Sequence, residues 1–269
     1  MGFFSKLGAS VGIGSAKVTL SAQPQQVPQG TRISISLNVA GGKAEQQITA
    51  VRVQLVHLWR EEQQVSRTDD EGYMTTETEV VTRNEVVDDQ VIGQAMTIKP
   101  EQSQQFQGEL AMPYEAILND RENWWEVWGI AEISGGKDSR QTVPIAVEPS
   151  LLATKFQEIV STQLQWQLKD IRSGQIPGAV LLVYQAPADW QGTLDEIRCL
   201  LRSREGQLGV TLELDFKAQK FTDYFKALVG KDDRAAGLKF SSDDLNINPQ
   251  NVVESLSQKM QQLTSQPQN

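Results

Sequence analysis

The stretch Arg32-Ile33-Ser34-Ile35-Ser36-Leu37-Asn38-Val39 alternates polar and apolar residues without a break. Side chains leave a strand on alternate faces, so a period of two marks a strand with one face on a core and one in water. Outward from it, Gly41-Gly42-Lys43 supplies a turn. The next strand puts Val51, Val53, Leu55, His57 and Trp59 on one face, with Arg52 and Gln54 on the other. Phe106, Gly108 and Leu110 alternate with Gln105, Gln107 and Glu109 until Pro113 stops the run. Trp125 to Ile133 forms another strand, closed by Gly135-Gly136-Lys137-Asp138, and Val143, Ile145 and Val147 finish this half. Short strands with turn punctuation and no helical blocks predict an antiparallel β-sandwich. Residues 60–92 are polar and acidic, with a β-branched run from Thr75 to Val81, and read as one or two exposed strands with mobile connections.

Glu148-Pro149-Ser150 marks a junction, because Pro149 breaks regular pairing and the pattern restarts after it. A helical turn over Leu151 to Ile159 is expected, then a strand in which Val160, Thr162, Leu164, Trp166 and Leu168 alternate with glutamines and Lys169. Ala179 to Tyr184 is continuously apolar, as in a strand covered on both sides. Ile197, Cys199 and Leu201 face one way in the first strand of a hairpin that turns at Arg204-Glu205-Gly206. Its second strand carries Leu208, Val210, Leu212, Leu214 and Phe216 on one face. Phe221, Tyr224, Phe225 and Leu228 have helical spacing, which predicts a helix over 220–229 capped by Gly230. Asn248-Pro249 starts a tail helix along Val252, Val253, Leu256, Met260 and Leu263. The expected organisation is a mainly β chain: one sandwich over residues 1–148, a second with a helix over 149–245, and a tail helix over 246–269.

The 269 residues carry a net charge of −9, which argues against general nucleic-acid binding, since phosphate contacts need clustered Lys and Arg. Cys199 is the only cysteine, so no internal disulfide forms, in keeping with a reducing compartment. No apolar run reaches the roughly 18–20 residues of a membrane span, and the start has too weak an apolar stretch for a secretory signal. A cytoplasmic location without stable membrane insertion is expected.

Several segments carry a family resemblance. Phe3-Phe4-Ser5-Lys6 with Ala9-Ser10-Val11-Gly12-Ile13-Gly14-Ser15-Ala16-Lys17-Val18, and Gly41-Gly42-Lys43-Ala44-Glu45-Gln46-Gln47-Ile48, resemble the amino-terminal region of bacterial sporulation-control proteins with an arrestin-like fold. Trp190-Gln191-Gly192-Thr193-Leu194-Asp195-Glu196-Ile197, then Leu212 to Lys217 and Phe225 to Gly230, are similar to that family's later strands and helix. The likeness departs at Gly135 to Val147, where the family tends to be acidic, and at Ala179 to Pro187, where Val180-Leu181-Leu182-Val183-Tyr184-Gln185 replaces a Phe- and Glu-rich strand. The resemblance implies two tandem arrestin-like antiparallel sandwiches, a cytoplasmic location and a regulatory role without catalysis.

The residues offer little chemistry to set against that implication. His57 is the only imidazole, on the face of Val53 and Leu55, and a lone half-buried histidine is commonly structural. Cys199 shares the inward face of Ile197 and Leu201, where a thiol behaves as a small hydrophobe. One Cys and one His cannot build the usual zinc site, so no metal or other cofactor is expected. Asp69-Asp70-Glu71, Asp88-Asp89, Asp232-Asp233 and Asp243-Asp244 read as solvated acids; an acid–base hydrolase would need two of them to face one cleft. Gly8-Ala9-Ser10-Val11-Gly12 matches the letters of a nucleophile elbow but lacks the preceding strand.

Trp124-Trp125-Glu126-Val127-Trp128 is the sharpest positive feature: strand alternation sends Trp125 and Trp128 to opposite faces, leaving one outside the core. An exposed tryptophan anchors a protein partner or stacks on a sugar; the same ring can instead pack beneath a neighbouring loop. Candidate binding residues are therefore Trp124, Trp125 and Trp128, with Phe3 and Phe4, whose aromatic pair could also dock on the first sandwich. The function expected is a non-catalytic adaptor binding protein partners through sandwich edges and loops. A carbohydrate-binding sandwich is the alternative.

Overall fold

The computed structural model describes residues 15–68, 73–188, 194–216 and 235–265. Phe3, Phe4, Ser10, Asp69-Asp70-Glu71, Asp232-Asp233 and the helix expected over 220–229 lie outside these residues.

Two compact units are present: Met1–Val27, Thr31–Met112 and Asn119–Glu148 make the first, and Pro28–Gly30, Pro113–Leu118 and Pro149–Asn269 the second. In the first unit, β1 (Lys17–Gln23), β3 (Arg32–Ala40) and β7 (Ser103–Ala111) form one antiparallel sheet in the order β1-β3-β7. The facing sheet runs β2-β9-β8-β4-β5, from β2 (Gln26–Pro28), β9 (Ser139–Glu148), β8 (Asn123–Ile133), β4 (Gln46–Thr68) and β5 (Met74–Gly93). The short β6 (Met96–Ile98) also pairs with β4.

Alternation sets the burial. Ile33, Ile35, Leu37 and Val39 of β3 are buried beside Leu20 and Ala22 of β1, their register partners being Leu37↔Leu20 and Ile35↔Ala22. Val51, Val53 and Leu55 of β4 and Val127 and Ala131 of β8 supply the other face of the core. The two sheets come close enough to need missing side chains. A Cβ at Gly129 of β8 would sit 2.6 Å from Leu37 Cδ1.

β4 and β5 form a hairpin far longer than its neighbours. Pairing between them runs from Val51↔Gly93 to Thr68↔Met74, with a bulge at Leu55/Val56. The pairing of β4 with β8 ends at Trp59↔Asn123, with one further bond from Arg60 N to Glu122 O. From Glu61/Val81 outward the hairpin is therefore a two-stranded ribbon, about 25 Å long at the usual rise per residue. The polar stretch expected as one or two exposed strands forms the outer part of β4 and most of β5, paired antiparallel as far as Thr68↔Met74.

In the second unit β10 (Leu168–Ser173), β11 (Ala179–Gln185), β12 (Leu194–Arg204), β13 (Gln207–Phe216) and β14 (Ala235–Ser241) form a five-stranded antiparallel sheet in chain order. The continuously apolar β11 lies inside that sheet, and Ala179 to Tyr184 are all buried. Three helices contact this sheet or one another beside it: α1 (Leu151–Gln163), α2 (Ser242–Asn246) and α3 (Pro249–Thr264). Ala153, Phe156, Ile159 and Val160 are the buried stripe of α1, and Val252, Leu256, Met260 and Leu263 that of α3. The tail helix thus covers its own unit.

One expected strand is corrected. Val160 to Gln163 continue α1, and the next strand begins only at Leu168. Ser150 caps α1, its side chain accepting from Ala153 N at 3.1 Å, and the chain leaves the helix through Gln165 at a φ of 54°. The apparent period of two competed with a helical stripe that already spanned Phe156 to Val160, and the helical stripe prevailed.

Candidate functional site

Strand β8 divides its tryptophans as the spacing predicts. Trp125 points inward and is only 3% exposed, so it is a core residue and offers no surface to a partner. His57, its register partner on β4, stacks on it at 4.7 Å and on Trp59 at 5.3 Å. Trp124, Glu126 and Trp128 occupy the opposite face, each half-buried. There the Trp128 indole donates from Nε1 to Glu126 Oε2 at 2.7 Å, and the Arg140 guanidinium sits 4.3 Å from the ring centroid. Such a cation–π contact takes up one face of the ring. Trp124 lies across from Leu58, and neighbouring Val56 is fully buried although it faces away from the sandwich core. Trp124 and Trp128 share one patch; Trp125 does not belong to it.

The single thiol and the single imidazole belong to different units. Cys199 is buried in the second unit, and burial alone pushes its thiol well above the ordinary range, which suppresses the reactive thiolate. His57 belongs to the first unit. Burial lowers its pKa below the ordinary 6.5, against the opposing pull of hydrogen bonding with Asn123 and the charges of Glu85 and Asp120. Its Nε2 is shielded from water and has no hydrogen-bond partner among the described residues.

The paired acids have separate structural partners. Asp89 binds Arg52 at 2.7 Å, which holds its carboxyl below the usual range, while Asp88 accepts from Ala111 N at 3.0 Å. Asp244 closes a capping box with Ser241 at the start of α2. Among the described residues no group of three or more His, Cys, Asp or Glu is placed to hold a metal ion. Within the same residues no helix is long and apolar enough to cross a membrane.

The exposed strands expected over residues 60–92 are present, and what the sequence reading did not give is their pairing into one long β4–β5 ribbon. Ion pairs cross one of its faces: Arg83 to Glu61 at 2.8 Å, Arg67 to Glu77 at 3.9 Å, and Arg67 to Glu79. These pairs are exposed, so each contributes about 0–1 kcal/mol. The other face carries Thr76, Thr78, Val80 and Thr82, and Tyr73, Met74 and Val80 are 69%, 75% and 63% exposed. β5 ends its sheet, so no described strand pairs with its outer edge. An open edge displays unpaired N–H and C=O groups, a template for an added strand. The β-branched run Thr75 to Val81 was the available signal.

Two antiparallel β-rich units in tandem, the first a sandwich, define an arrestin-like architecture. Residues 4–218 match the family model described as SpoOM protein, and the chain belongs to that sporulation-control family. The crystal structure of Spo0M, the sporulation control protein of Bacillus subtilis, superposes with a TM-score of 0.64 at 18% identity, covering 92% of this chain and 99% of that one. At that identity the likeness concerns the fold. A cohesin module from Clostridium perfringens and the alkylpurine DNA glycosylase AlkC of Pseudomonas fluorescens align with 51% and 50% of this chain and with 99% and 31% of their own. Their identities are 8% and 11% and their TM-scores 0.24 and 0.27, too low to bear on function. No curated protein matches the chain in sequence.

Proposed function

We propose that this chain is a non-catalytic regulatory adaptor of the cytoplasm, binding protein partners through the exposed strand edges and loops of its β units. The observation that carries the proposal is the outer edge of β5, a 20-residue strand that pairs with β4 alone among the described strands. An incoming extended segment can continue such a sheet, its main chain supplying affinity and its alternate side chains specificity. The inert Cys199 and the separately engaged acid pairs favour binding over catalysis. Sugar stacking has less support, because Arg140 already occupies a face of Trp128 and Trp125 is buried.

Arg60 and Thr82 are register partners, so residues 61–81 can be replaced by Asn-Gly, a turn that closes a two-residue hairpin. The shortened chain keeps both cores and loses the ribbon. Affinity capture from the native host should then lose the partners that the full chain retains. Undiminished capture by the shortened chain would contradict the proposal.

A further inference from the structure

We propose that the outer edge of β5 docks an extended segment of a partner protein that carries Lys or Arg at every second position and β-branched or apolar residues between. The inference rests on the adaptor reading and assigns its partner a chemistry.

β5 is itself acidic, carrying Glu77, Glu79, Glu85, Asp88 and Asp89 against Arg83. Residues 60–93 contain ten acidic residues against three arginines, a net −7 within a chain of net −9. The register sorts these charges by face. Glu77, Glu79 and Glu85 of β5 lie on the side of Glu61 and Arg67, whereas Thr76, Thr78, Val80, Thr82 and Val86 lie on the other. Arg67 answers Glu79 and reaches Glu77 only at 3.9 Å, and Arg83 is engaged by Glu61. Glu85 lies across from His57, on whose imidazole its charge acts. A strand added beside β5 would place alternate side chains next to those carboxylates and the intervening ones against the Thr/Val row. Opposite charges across neighbouring strands stabilise the pair, and β-branched residues pack against the Thr/Val row of β5. A second copy of β5 fits poorly, because its own glutamates would face these and like charges repel. An acidic edge thereby discourages self-pairing and selects a basic strand.

The test uses the full chain and a fluorescein-labelled peptide of roughly eight residues alternating Lys with Val and Thr, long enough to span the acidic part of the edge. Two controls carry the same composition with the lysines in one block, and Glu in place of Lys. Anisotropy titration should show the alternating Lys peptide binding most tightly. Binding should weaken as salt rises and fall about tenfold in the Glu77→Gln/Glu85→Gln variant, which removes two exposed pairs. Amide exchange should show new protection within residues 74–86, a readout that holds even if a variant misfolds. Equal binding of the blocked or acidic peptide, protection elsewhere, no peptide binding, or a concentration-dependent dimer that protects β5 would each overturn the proposal. Should the 61–81 replacement abolish partner capture while the Lys peptide fails to bind, the adaptor reading survives and the basic-strand assignment falls.

Discussion

Adding one methyl group at Gly129 probes how the first unit closes. A Cβ there would lie 2.6 Å from Leu37 Cδ1 and 3.1 and 3.4 Å from Leu20 Cδ1 and Cδ2, side chains that reach across from the opposite sheet. Both leucines are buried, Leu37 completely, and densely packed cores yield little. Gly129→Ala should therefore destabilise by about 1–3 kcal/mol. In Tm this is a loss of roughly 3–12 °C for a unit of this size. Leu37→Ala alone should cost about 2–5 kcal/mol through the cavity it leaves. In the double variant the new methyl enters that cavity, so the two losses should fall short of their sum by about 0.5–3 kcal/mol. Urea unfolding followed by tryptophan emission is the assay, since Trp59, Trp124, Trp125 and Trp128 all lie in the first unit. Strict additivity, or a neutral Gly129→Ala, would refute the packing of β8 against β1 and β3.

Other expectations follow from single side chains. The folded state holds His57 below its ordinary pKa of 6.5, so the unfolded chain binds that proton more readily. The stability His57 contributes is thus complete above about pH 6.5 and declines as pH falls from there toward its folded pKa. His57→Phe should flatten this part of the urea-midpoint profile between about pH 7.5 and pH 5; an unchanged slope would contradict it. Phe156 is fully buried beneath α1, its ring 6.1 Å from that of Phe240. Phe156→Ala should lose about 3–5 kcal/mol in denaturant titration of the second unit, and a loss below about 1 kcal/mol would remove α1 from that core. The Cys199 thiol should resist a colorimetric disulfide reagent in the native protein and react fully once denatured. Rapid native labelling would show that β12 is not covered.

The residues that speak most clearly for the fold are those whose two strand faces meet different surroundings. Ile33 to Val39 could be read because every second side chain enters a core, and the β12–β13 hairpin for the same reason, with Gly206 at a φ of 68° in its turn. The ribbon is polar on both faces, so no period distinguishes strand from loop, and its length emerges only from pairing with β4. Val160 to Leu168 misleads in the opposite direction, since a segment leaving a helix mimics a strand's alternation. At the candidate site the separation of Trp125 from Trp128 was visible in the spacing. Which of them faces the core depends on the second sheet, and the cover of Arg140 over Trp128 depends on the pairing of β8 with β9. The open edge of β5 depends on strand order, a property of the whole sheet that no local run encodes.

Hydrogen exchange on the full chain, free and bound to a protein partner captured from its native host, bears most directly on adaptor action through β5. Slower exchange across Met74–Val91 on partner binding, with the Trp124–Trp128 face unaltered, is the expected result. Protection confined to other strands, with β5 amides exchanging as fast as in the free protein, would contradict it.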